Sequence, residues 1–62
     1  LLALSDRRAK RDIAPIGNMR GATCYVYRYL GDAKWRVGVM ADEVPHAAFE
    51  FNGVSIVDYE VL

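Results

Sequence analysis

Two residues near the start of the chain have the types and spacing for covalent chemistry. They are Ser5 and Lys10, set in the charged run Ser5-Asp6-Arg7-Arg8-Ala9-Lys10-Arg11-Asp12-Ile13. A serine hydroxyl is a weak nucleophile until a base takes its proton, and an uncharged lysine amine can be that base. Serine–lysine pairs recur as a variant of the serine nucleophile with a basic partner. The same residues also have a plainer reading. Ser5 suits a helix N-cap, Asp6 suits the positive end of the helix dipole, and Lys10 is then a solvated helix residue. On spacing alone the capping reading is the stronger one. Residues five apart on a regular helix lie roughly 140° apart around its axis. The pair therefore meets only if Ser5 lies outside the helix, the chain bends, or Lys10 reaches a neighbouring copy.

Further blocks follow in order: Tyr27-Arg28-Tyr29-Leu30-Gly31-Asp32, then Val37-Gly38-Val39-Met40-Ala41-Asp42-Glu43-Val44, then Val57-Asp58-Tyr59. With the Ser5 run they resemble the endosialidase-type intramolecular chaperone domain, the self-cleaving C-terminal domain of phage tail spikes and fibres. The family's corresponding segments read YRYLGD, GVMAQEV and VDY, so the resemblance extends from residue 5 to residue 59. It implies that Ser5 attacks the carbonyl of Leu4, with Lys10 as general base, and cuts the Leu4–Ser5 bond. Lys10 then needs a lowered pKa, from burial on trimer assembly and from the like charges of Arg7, Arg8 and Arg11. An oxyanion donor is needed as well, and a backbone N–H is the expected one.

The resemblance further implies a homotrimer that sets three copies of an upstream fibre or spike chain in register. The domain is then released, which gives the fibre kinetic stability. Its location would be the virion, in a tail fibre or spike, after assembly in the host cytoplasm. Residues 1–4 are expected to be the end of the upstream fibre or a linker, and 5–62 the chaperone and autoproteolytic domain. A chain that starts at Leu1 rather than Met reads as the end piece of a longer polypeptide, and the presence of Leu1 to Leu4 as an uncut state. Two departures stand out. Asp42 replaces the family's Gln in a segment shortened by Pro45. Only Glu60-Val61-Leu62 follows VDY, where the family commonly builds a trimeric coiled coil.

Composition bounds the alternatives. With 62 residues there is room for one domain, and so short a chain is marginal as a lone monomer. Cys24 has no partner for an internal disulfide, and one His with one Cys cannot furnish a four-ligand zinc site. No cofactor or metal is expected, and assembly with other copies is the remaining source of stability. Eight Lys and Arg balance eight Asp and Glu, so no global field draws the chain to nucleic acid or an anionic membrane. Neither is expected as a partner, and no apolar run approaches the roughly 18 residues of a membrane span. The charge is polarised all the same, with Arg7, Arg8, Lys10 and Arg11 early and Asp42, Glu43, Glu50, Asp58 and Glu60 late.

The elements that must position Ser5 and Lys10 follow from local pattern. A short helix is expected through about Ile13, ending before Pro15, then a loop from Gly17 to Gly21. Tyr25, Tyr27 and Tyr29 alternate on one strand face, with Cys24, Val26 and Leu30 on the other. Gly31 to Lys34 turns the chain into Trp35, Val37 and Val39, making a hairpin, and Gly38 leaves room for a ring or a close backbone. Ala41 to Val44 is expected to form one helical turn. Phe49 and Phe51, Asn52-Gly53, then Val54 and Ile56 form a second hairpin. Asp58 is placed to cap a further helix from Tyr59.

The fold class read from this is α+β, two hairpins with short helices, three-fold associated. The tyrosine stripe is core or subunit interface rather than a base-stacking platform, Cys24 a buried apolar residue, and His46 a surface loop residue. Two functional classes result: a self-cutting enzyme, or a cap at the fibre tip that never cuts. A transcription-factor precursor, where related domains also trimerise and cut, is a third use.

Overall fold

The computed structural model describes residues 1–62 and is built from two three-stranded antiparallel sheets. One sheet has the order β1 (Leu2–Leu4), β6 (Val54–Asp58), β5 (Ala48–Phe51). The other has the order β2 (Lys10–Met19), β3 (Ala22–Tyr29), β4 (Arg36–Gly38). Helical structure is confined to single 3-10 turns at Arg7–Ala9, Ala41–Glu43 and Pro45–Ala47. The domain is mostly β, which corrects the α+β reading.

The main departure is the segment expected to be a helix and a loop. Lys10–Met19 is a ten-residue strand paired with β3. Tertiary pairing overrides the local helix preference, and an edge strand can carry Pro15 because its outer side needs no N–H donor. The register slips twice, between Arg11 and Ala14 and between Pro15 and Gly17. At the first slip Asp12 takes a left-handed φ of 54°, as bulges permit. Arg20 (φ 50°) and Gly21 (φ 84°) then close a two-residue turn between Met19 and Ala22. This third hairpin was not expected, since Arg is an unfavourable residue for positive φ.

The two expected hairpins are present. Asn52 (φ 50°) and Gly53 (φ 80°) join Phe51 to Val54, the two-residue turn that an Asn-Gly pair favours. The β3–β4 connection runs through Gly31 to Trp35. Gly38 is close-packed: a Cβ there would lie 2.6 Å from the Tyr59 hydroxyl and 3.1 Å from that of Tyr27. Beyond β6 the chain makes a turn rather than a helix, with Asp58 Oδ1 accepting from Glu60 N at 3.0 Å.

The core is small and is built largely from the 39–47 segment packed against β6. Val39, Ala41, Val44, Ala47 and Val57 form one buried cluster, flanked by Ala22, Ala48, Tyr59 and Leu62. Cys24 is buried, as expected. The outward face of the β1-β6-β5 sheet stays apolar and exposed, carrying Leu2, Leu4, Phe49, Phe51 and Val54.

Candidate functional site

Ser5 and Lys10 meet without a helix. Ser5 follows β1, and its backbone is pinned on both sides: Ser5 N donates to Ser55 O (3.0 Å) and Ala41 N donates to Ser5 O (3.0 Å). The 3-10 turn at Arg7–Ala9 then reverses the chain, so that Lys10 opens β2 directly opposite Tyr29 of β3. The N-cap of that turn is Asp6, not Ser5; Asp6 accepts from Arg8 N at 3.0 Å. Released from capping, the Ser5 hydroxyl donates to Val39 O at 2.5 Å. Lys10 Nζ donates to the same carbonyl (2.9 Å) and to Ser5 Oγ (3.1 Å).

Both side chains are inside the domain, Ser5 at 0% and Lys10 at 6% exposure. One subunit supplies this burial, where assembly was expected to supply it. Lys10 Nζ also lies 3.9 Å from the centroid of the Tyr27 ring, whose π-face attracts the ammonium. Burial is nevertheless the leading influence on the amine and lowers its pKa to about 8, helped by the positive charge of Arg7 and opposed by Asp42 and Asp6. Of the three arginines expected to act this way, Arg7 is the one placed to do so.

Arg7 is itself fixed by the second half of the chain, its Nε 3.2 Å from Asp42 Oδ1 and its Nη2 3.0 Å from Glu43 Oε2. The polarised charge therefore pairs within one subunit at this point. It also gives Asp42 a partner at the position where the family has Gln. Glu43 further accepts from the Tyr25 hydroxyl at 2.7 Å. His46 sits exposed in the Pro45–Ala47 turn.

Asp6 holds the segment between the pair. The residue is 5% exposed. It accepts from Arg8 Nη2 (2.6 Å) and Nε (2.9 Å), and from Ser55 N (3.0 Å). These bonds, the Arg8 side chain foremost, hold its pKa well below the usual carboxylate range. A depressed folded-state pKa contributes stability that is present above the unfolded value near pH 4 and is lost on acidification below it. Asp6→Asn should therefore flatten the fall in stability as pH drops from about 4, and acid titration followed by circular dichroism measures this.

Two partners of the site carry no signal in the sequence. The first is the Val39 carbonyl, a backbone atom that serves as common acceptor for nucleophile and amine. The second is the Tyr29 hydroxyl, which donates to the Leu4 carbonyl at 2.6 Å. In the sequence Tyr29 is one member of an aromatic stripe, and alternation shows its face but not its reach. The arrangement combines a buried hydroxyl, an amine of lowered pKa within hydrogen-bond distance, and a polarised carbonyl on the preceding residue. Those are the parts that acyl transfer from nitrogen to oxygen requires.

Comparison with known proteins agrees with the resemblance read from the motifs. No curated protein and no solved structure matches the chain. The family model for the chaperone of endosialidase, peptidase S74, matches residues 5–54, from the serine through the β5–β6 turn. That span supports an intramolecular chaperone role. A match over most of the length, opening at Ser5 and taking in Lys10, places this chain in the chaperone-of-endosialidase family.

Proposed function

We propose that the domain guides three copies of an upstream tail fibre or spike chain into register and then severs itself at the Leu4–Ser5 bond. One observation carries this reading: Ser5 Oγ and Lys10 Nζ lie 3.1 Å apart in a buried site, beside the bond to be cut. Neutral Lys10 accepts the Ser5 proton as Oγ bonds to the Leu4 carbonyl carbon. The resulting ammonium returns that proton to Ser5 N as the C–N bond breaks, leaving an ester between Leu4 and the Ser5 side chain. Water then hydrolyses the ester, freeing the Leu4 carboxylate and restoring the Ser5 hydroxyl beside the amine already released. With a pKa of about 8, about a tenth of the amine is neutral at pH 7. The cutting rate is therefore expected to rise with pH and level off above about 8.

Three-fold association is supported by what the subunit leaves uncovered. Twelve of 62 residues are buried, a small core for an independent domain. The outward face of the β1-β6-β5 sheet is apolar, and other copies would cover it. Registering chains before release suits fibres whose long-range strand pairing is slow and prone to aggregation. The setting is a virion tail fibre or spike, assembled in the host cytoplasm.

A second reading, a fibre-tip cap that never cuts, is favoured by one bond. The Ser5 proton is directed at Val39 O (2.5 Å) rather than at the amine, so the hydroxyl must turn before it can react. A precursor carrying the upstream fibre separates the two by denaturing gel, intact mass and native mass. The wild type should split just before Ser5, while Ser5→Ala and Lys10→Ala stay whole as trimers. A wild type that remains whole yet trimeric makes the domain a cap.

A further inference from the structure

The geometry points to Tyr29 as a catalytic residue, the donor that stabilises the oxyanion formed on Leu4 during self-cleavage. This rests on the self-cleavage reading above and replaces the expected backbone N–H with a side chain.

The strand register explains why the Leu4 carbonyl is free to be used. β1 and β6 pair antiparallel, Leu4 opposite Ile56. Tyr59 N donates to Leu1 O and Ser5 N donates to Ser55 O. The hydrogen-bonded pairs therefore involve Leu1, Ala3 and Ser5, because such pairs alternate along an antiparallel ladder. Leu4 falls in a non-bonded pair, with its carbonyl turned away from β6. β1 is also an edge strand, so no further strand meets that carbonyl. The last residue of the other sheet's central strand does, through the Tyr29 hydroxyl at 2.6 Å.

Tyr29 is held in place before any reaction begins. It stands opposite Lys10 in the β2–β3 register. Its ring packs edge-on against Tyr27, with centroids 5.4 Å apart and planes at 74°. The Arg36 guanidinium lies 5.2 Å from its ring centroid, a cation–π contact that helps to fix the ring. One cross-strand pair thus delivers the base to Ser5 and the donor to Leu4.

As Ser5 Oγ adds to the Leu4 carbonyl carbon, the C=O electron pair moves onto oxygen, and the Tyr29 O–H bond to it strengthens. When the electrons return, the C–N bond to Ser5 breaks and Lys10 supplies the proton to nitrogen. The same donor serves again when water adds to the ester carbonyl. The interaction is stronger to an oxyanion than to a ground-state carbonyl, so it lowers the barrier rather than merely binding.

The test compares single-turnover cutting of the full precursor in wild type, Tyr29→Phe and Tyr25→Phe across pH. Tyr29→Phe keeps the ring packing and removes the donor. Its rate should fall by about a hundredfold to a thousandfold, with the midpoint of the pH profile still near 8 and the thermal midpoint close to wild type. Tyr25→Phe, whose hydroxyl meets Glu43 instead, should cut normally. Tyr29→Phe cutting at the wild-type rate, while Ser5→Ala does not cut, overturns this inference and leaves self-cleavage standing. A rate loss accompanied by a moved pH midpoint or a matching loss of thermal stability also overturns it, since Tyr29 would then act only through the fold. A wild-type precursor that never cuts removes both.

Discussion

Lys10→Met should give a domain that cannot cut and is at least as stable as the wild type at neutral pH. On the proposed self-cleavage, loss of Lys10 leaves Ser5 without a route for its proton, and removing one member of such a pair costs orders of magnitude in rate. The stability outcome follows from burial. A lysine 6% exposed with its pKa lowered to about 8 is destabilising in its charged form, because folding must withdraw the ammonium from water. Methionine fills similar space without the charge. Val39 O keeps the Ser5 hydroxyl as a donor, so no buried acceptor is orphaned. The lowered pKa also fixes the sign of the pH dependence. The unfolded chain binds more protons than the folded one between about pH 8 and the ordinary lysine value of 10.5, so stability rises across that interval. The gain is about 3 kcal/mol at most for a shift of this size. Tyr27 sets the upper edge. Burial, aided by Tyr29, raises its pKa, so its contribution is full below the unfolded value near 10 and is lost above it. Urea denaturation of uncut Ser5→Ala between pH 8 and 10 should show the rise, and Lys10→Met should be flat. A rise of equal size in both would assign it to another group.

Gly38→Ala should cost about 2–4 kcal/mol and slow cutting as well, although it touches neither Ser5 nor Lys10. A Cβ at this position meets the Tyr59 hydroxyl at 2.6 Å and the Tyr27 hydroxyl at 3.1 Å. Neither ring can retreat freely. The Tyr59 hydroxyl accepts from Val39 N at 3.1 Å, so moving it orphans a buried amide, which adds to the cost of overpacking. Tyr27 lies 3.9 Å beneath the Lys10 ammonium, so moving it shifts Lys10. The next residue, Val39, carries the carbonyl that anchors both Ser5 and Lys10. Stability by urea melt and rate by single-turnover cutting should therefore fall together. A variant with wild-type stability and wild-type rate would show that this strand is softer than its contacts imply.

Ala41–Glu43 was legible because Pro45 bounds it, and a proline limits the residue before it whatever surrounds the chain. Arg7–Ala9 was masked by a run of good helix formers. Ser5, Asp6, Ala9 and Lys10 all suit a helix locally, yet helix propensity is a weak preference that tertiary pairing overrides. β3 needed a partner along its second edge, and Lys10–Met19 supplies it.

What the order of amino acids determined by itself was local or motif-borne: the Asn52-Gly53 turn, the alternating tyrosine strand, the space at Gly38, and the family, whose motif names Ser5 and Lys10 as candidates. These depend on dihedral preferences, side-chain period and residue type, which travel with the residues. Tertiary structure alone decided that the pair meets through a reversed turn and a strand, that the Val39 carbonyl accepts from both and Tyr29 bonds to Leu4, and that one subunit buries the amine. Hydrogen bonds to backbone carbonyls and contacts between two sheets depend on register, and register is set only when distant strands find each other.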